Sequence, residues 1–120
     1  MAAVSHEPSW SLPQLLTLGF LRDHQGASLS EVAVHLGIGL PSASTLVNRL
    51  VLTGQVNRRD DPTERRRILL TLTPKGHAQL DAAIQASHQE LTDRLRAVPA
   101  RDLARIGQAM ALLRTVFSDT

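Results

Sequence analysis

Residues 28–54 read SLSEVAVHLGIGLPSASTLVNRLVLTG. Ser28 and Glu31 have the spacing of a capping box: the serine hydroxyl takes a backbone N–H of the first turn, and the glutamate returns to the serine's own N–H. A short helix follows with Val32, Ala33 and Leu36 turned inward, and Gly37-Ile38-Gly39 breaks it. Ala43, Leu46, Val47 and Leu50 then recur at helical spacing over a second helix of about 40–53, which Gly54 stops. Two helices joined by a glycine-containing turn make a helix-turn-helix. The outer face of the second helix is slim, carrying Pro41, Ser42, Ser44 and Thr45. Small side chains let a helix backbone approach a groove, and hydroxyls can meet phosphates or base edges. Arg49, one turn further on, has the reach for a phosphate or a guanine. A plain helical pair within a larger bundle fits the same pattern, so the flanking sequence has to decide.

Downstream, Val56–Arg59 is short and extended, Asp60-Asp61-Pro62-Thr63 is turn chemistry, and 68–73 is rich in strand formers. This is a β-hairpin. Its tip and flanks carry Arg58, Arg59, Arg65, Arg66 and Arg67 against Asp60, Asp61 and Glu64. In isolation such a loop is a solvated turn whose ion pairs are worth ~0–1 kcal/mol each. Directly after a helix-turn-helix it is a wing, able to straddle a DNA backbone and set a guanidinium in the minor groove, where negative potential concentrates.

Upstream, Ser11 and Gln14 form a second capping box with Pro13 in the first turn. Leu12, Leu15, Leu16, Phe20 and Leu21 give that helix an apolar stripe, and it ends before Gly26. Thr73-Pro74 opens a further helix with Leu80, Ile84, Leu91 and Leu95 inward, and Pro99 interrupts it. Leu103, Ile106, Met110, Leu113 and Phe117 step by 3, 4, 3, 4 along a last helix of about 100–117. The expected fold is mainly α with a small β-hairpin: a winged helix-turn-helix over 1–76, with recognition helix about 40–53 and wing about 56–73, then C-terminal dimerisation helices over 77–120.

Composition narrows the function. The 120 residues fit one domain, and with Trp10, Phe20 and Phe117 the only aromatics the core must be aliphatic. A chain of this size gains from a partner subunit. The net charge of +2 is carried almost wholly by arginine, Lys75 being the one lysine. With no cysteine, disulfides, thiolate catalysis and Cys-type zinc sites are excluded. No apolar run approaches the ~20 residues of a membrane span and the N-terminus lacks a secretory pattern, so a cytoplasmic protein without membrane contact is expected. His6, His24, His35, His77 and His88 form no HxH, HxxH or HExxH spacing, and the wing acids have arginines beside them, so neither metal nor cofactor is expected. No nucleophile motif or phosphate-binding glycine loop occurs, and Asp81 and Asp102 lack an evident partner, which argues against an enzyme.

The run Leu-Ser-Glu-Val-Ala (29–33), Leu-Gly-Ile (36–38), Leu-Val-Asn-Arg-Leu (46–50) with Gly54, Val56 and Arg58, Asp-Pro-x-Glu-Arg-Arg (61–66) and Leu-Thr-Pro-Lys-Gly (72–76) resembles the MarR family. The match is close over 28–76 and general over 11–117. The resemblance implies a sequence-specific regulator, a dimeric repressor on double-stranded DNA with a palindromic operator, and a small-molecule effector. It places Pro41, Ser42, Ser44 and Thr45 in the major groove and matches Arg65 and Arg66 to the wing tip. With Ser28, Arg49, Arg58 and Arg67 these make the expected DNA contacts. Glu64 stands where Asp is usual and is expected to orient a wing arginine. Asn48 also stands where Asp is usual, which removes the charge of an ion pair. Dimerisation is expected through Leu91, Leu95, Leu103, Ile106, Met110, Leu113 and Phe117. Only about ten residues precede the first capped helix, where the family has a full N-terminal helix. Two competing readings are a winged-helix module that binds protein with DNA binding lost, and an enzyme or metal-binding domain.

Overall fold

The computed structural model describes residues 10–64 and 66–118. The expectation for the N-terminal helix and that for Arg65 fall outside them. Along the chain lie α1 (Leu12–Asp23), β1 (Ala27–Ser28), α2 (Leu29–Leu36), α3 (Leu40–Leu52), β2 (Val56–Asp60), β3 (Ile68–Leu72), α4 (Pro74–Leu95) and α5 (Ala100–Phe117). Both capping boxes form. Ser11 N–H donates to Gln14 Oε1 at 2.9 Å, and Ser28 N–H donates to Glu31 Oε1 at 2.8 Å. Gly37 closes α2 at φ +68°, in the left-handed region where a Cβ is costly, and its neighbour Ile38 donates back to Ala33 O.

The chain divides into two compact units, one ending at Ala82 and the other beginning at Ala83. That division falls later than the expected boundary at 76/77. The reason is packing: Gly76 and Leu80 are buried, so the first turns of α4 belong with the winged helix. In the first unit Leu18, Leu21, Val32, Val47, Leu50, Val56 and Leu70 are almost wholly removed from water. Each such side chain contributes ~1.5–3 kcal/mol through burial. The sheet order is β1-β3-β2, all antiparallel. β3 is its centre, with Leu70 opposite both Ala27 and Arg58.

The stripe expected on α1 is turned. Leu12 and Leu16 are exposed, while Thr17, Leu18 and Leu21 face the core against α2 and β3. Thr17 can be buried because its hydroxyl donates to Pro13 O at 2.8 Å. Phe20 lies between the rings of His24 and His35, with centroids 4.4 and 4.3 Å away.

In the second unit, α5 buries none of its residues. Ile106, Met110, Leu113 and Phe117 are exposed, as are Leu112 and Val116 beside them. No helix among the described residues is long and apolar enough to cross a membrane.

Candidate nucleic-acid interface

α3 presents Pro41, Ser42, Thr45, Asn48, Arg49 and Leu52 to solvent, while Ala43, Val47 and Leu50 are buried. The exposed positions step by three and four along one face, and Ser44 is half-buried at its edge. The helix start differs from those of α1 and α2. Its N-cap, Gly39, has no side chain and makes no cap hydrogen bond. Pro41 has no N–H and Ala43 N–H is taken by Gly39 O, so the N–H groups of Leu40 and Ser42 are those left open to an anion such as a DNA phosphate. Thr45 Oγ1 donates to Pro41 O at 3.1 Å, which leaves its lone pairs outward as acceptors.

The wing stands beside this face. In the register Arg58 pairs with the buried Leu70, so it projects from the core-facing side of the sheet toward α3. There its Nη1 donates to Asn48 Oδ1. A strand of the wing and the exposed face of the recognition helix are thus joined directly, by a neutral acceptor.

At the hairpin tip Asp61 Oδ1 accepts from Thr63 N–H at 2.9 Å and Thr63 Oγ1 at 2.8 Å. Arg67 N–H donates to Glu64 O, and Asp61 N–H donates to Arg67 O, both at 2.9 Å. The Arg67 guanidinium meets Glu31 Oε1 at 3.2 Å and Asp61 Oδ2 at 3.9 Å. Arg67, an expected DNA contact, ties the wing to α2 in the fold. The sequence likewise gives the Glu64 carboxylate the task of orienting a wing arginine. Its described contribution is the backbone carbonyl, and the carboxylates that meet Arg67 are Glu31 and Asp61. Ser28, another expected DNA contact, lies in β1. It is buried, paired with Leu69 in the sheet, and its hydroxyl accepts Glu31 N–H at 3.1 Å. Arg49 on α3 and Arg59 and Arg66 on the wing are turned outward to solvent.

The wing's far end is anchored by residues that sequence reasoning passes over. Thr73 Oγ1 donates to Gly54 O at 2.6 Å and accepts Gly76 N–H at 2.9 Å. Lys75 Nζ donates to Thr53 O at 2.8 Å, a cation at the C-terminal end of α3 where the helix dipole favours it. Gln55, 3 % exposed, takes the Thr53 hydroxyl on its Oε1 and donates to Gln79. The signal is present in Leu72-Thr73-Pro74-Lys75-Gly76, but a motif does not say what it grips.

Ser28 holds the Glu31 carboxyl below the usual carboxylate range, chiefly through its backbone N–H and then its hydroxyl, with Arg67 adding attraction. A carboxylate lowered on folding contributes stability above its unfolded pKa, and loses it as pH falls through the folded value. The side chain is half-exposed, so solvent screening keeps the contribution below about 1 kcal/mol. Glu31→Gln should therefore be less stable than wild type at pH 7, with the gap closing as acid takes the pH down through the folded value. Urea unfolding across that range checks it; a gap independent of pH would remove the carboxylate's charge from the account.

Such a face, a slim uncapped helix with a cationic wing bonded to its side, defines a winged helix-turn-helix of the kind that reads duplex DNA. Residues 11–67, just under half of the chain, match the model of the MarR family. It is 32% identical over 83 residues to the transcriptional repressor NicR of Pseudomonas putida, covering 69% of this chain and 52% of that protein. The chain thus spans about half of NicR's length. Among solved structures, the repressor CouR bound to a 23-mer DNA duplex is 29% identical, with TM-score 0.72, covering 90% of this chain and 75% of that one. YusO of Bacillus subtilis, at 20% identity, shares the fold with TM-score 0.79, covering 88% and 74%.

Proposed function

We propose that this protein is a sequence-specific DNA-binding regulator of transcription, a dimeric repressor that occupies a palindromic operator. The observation that carries this reading is the Arg58–Asn48 bond, which sets the cationic wing alongside the exposed face of α3. Pro41, Ser42, Ser44 and Thr45 enter the major groove, Arg49 reaches a phosphate or guanine beside them, and Arg66 extends with the wing into the adjacent minor groove. The α3 N-terminus takes a backbone phosphate. Support comes also from the relatives, one a named repressor and one a repressor held on duplex DNA.

The second copy docks on the unpartnered apolar face of α5, with Leu91 and Leu95 of α4 at its margin. Two-fold symmetry then requires half-sites about one helical turn apart. Selection of bound sequences from a random duplex pool tests the whole reading. An inverted repeat is expected, and an unenriched pool would overturn it.

Arg66→Ala gives a sharper measure. One lost phosphate or groove contact lowers the slope of log K against log salt by about 0.9, and affinity near 0.1 M salt by about tenfold. Fluorescence anisotropy on a labelled duplex between about 50 and 300 mM KCl, where screening lengths run from ~14 to ~6 Å, reads both. An unchanged slope would take the wing tip out of the interface.

A further inference from the structure

We infer that Asn48 is a positioning residue for DNA binding, which aims Arg58 at a phosphate while leaving its charge unspent. This rests on the DNA-binding reading above and goes beyond it. Asn48 lies on the exposed face of α3 and accepts a hydrogen bond from Arg58 Nη1. The acceptor is an amide oxygen, so the guanidinium is held in direction but keeps its full positive charge. A carboxylate at the same place would hold it as well and cancel that charge. A guanidinium carries five N–H donors, and the bond to Asn48 engages Nη1 alone. Arg58 is exposed, so its remaining donors are open to solvent. Arg67 is the contrast on the same wing. It meets two carboxylates, Glu31 and Asp61, which offset its charge within the protein. The hairpin therefore holds two kinds of arginine: one braced by acids for structure, one steered by an amide for a polyanion.

The test is a double-mutant cycle read by salt dependence, using a labelled duplex of random sequence and the full chain. Asn48→Asp should lower the slope of log K against log salt by up to about 0.9, and affinity severalfold. Arg58→Ala should do the same. In the double variant the two effects should overlap, because each removes the same contact. A merely structural role for Asn48 would move the melting temperature and leave the slope unchanged. Additive losses would mean that the introduced carboxylate repels DNA without acting through Arg58, and would overturn the inference, as would an unchanged slope in Arg58→Ala. If the cycle is additive while Arg66→Ala still lowers the slope, this inference alone falls. If wild type fails to bind duplex at all, the proposed function falls with it.

Discussion

Gly76→Ala should lower the melting temperature by about 10 °C or more. A Cβ at residue 76 would stand 2.3 Å from Gln55 O and 2.8 Å from Leu72 Cδ1. The first of these is backbone, and it cannot step aside: the same carbonyl accepts Thr73 N–H at 3.0 Å. Relief requires α4 to move off the end of the hairpin, which breaks the Thr73–Gly76 bond and uncovers Gln55. Overpacking against an immobile partner costs about 1–3 kcal/mol, and each kcal/mol shifts the midpoint of a domain this size by about 4–8 °C. Gly107→Ala is the matched control. It too is helical, yet an added Cβ there meets nothing within 4 Å. Alanine gains helix propensity at such a position, so no loss is expected. Thermal melts followed by circular dichroism compare them. Equal midpoints for Gly76→Ala and wild type would dissolve the account of the junction.

Ile106→Glu with Leu113→Glu should convert a dimer to monomer and abolish tight operator binding. Both residues lie on the face that steps from Leu103 to Phe117, and both are exposed in the single chain, at 41% and 46%. Contiguous exposed apolar surface of this kind is rare on a monomer and marks an interface. A buried carboxylate without a partner is costly, so the pair should weaken association by at least about 100-fold. Because α5 buries nothing within its own chain, the substitutions should leave the helical content intact. Operator affinity falls because each half-site is then bound alone, without the effective concentration that linkage supplies. Sedimentation velocity at tens of micromolar reads the first effect and anisotropy the second. A wild type that sediments at the single-chain mass would refute the interface; so would a double variant that still sediments as a dimer.

Much of this is legible because local chemistry writes it. Ser11 with Gln14, Ser28 with Glu31, Gly37 and Thr73-Pro74 announce element boundaries through groups that satisfy one another within a few residues. The recognition helix is legible too, since Ala43, Val47 and Leu50 are spaced as a buried face must be. What cannot be read depends on partners distant in sequence. β1 is two residues long and exists only because Ala27 and Ser28 pair with Leu70 and Leu69. On α1 the apolar residues admit two stripes, and α2 and β3 choose the one centred on Leu18. The division of labour among the wing arginines is equally hidden. That Arg67 is anchored depends on Glu31, 36 positions earlier, and the carboxylates near the wing look alike until one is seen to reach it from α2.

The junction around Gln55 couples three elements. The tail of α3, the root of the hairpin and the first turn of α4 share one set of hydrogen bonds, with Gly76 leaving no slack between them. α3 and the hairpin are thereby tied to each other through α4 as well as directly. A displacement of the first turns of α4 would therefore reach α3 and the hairpin together.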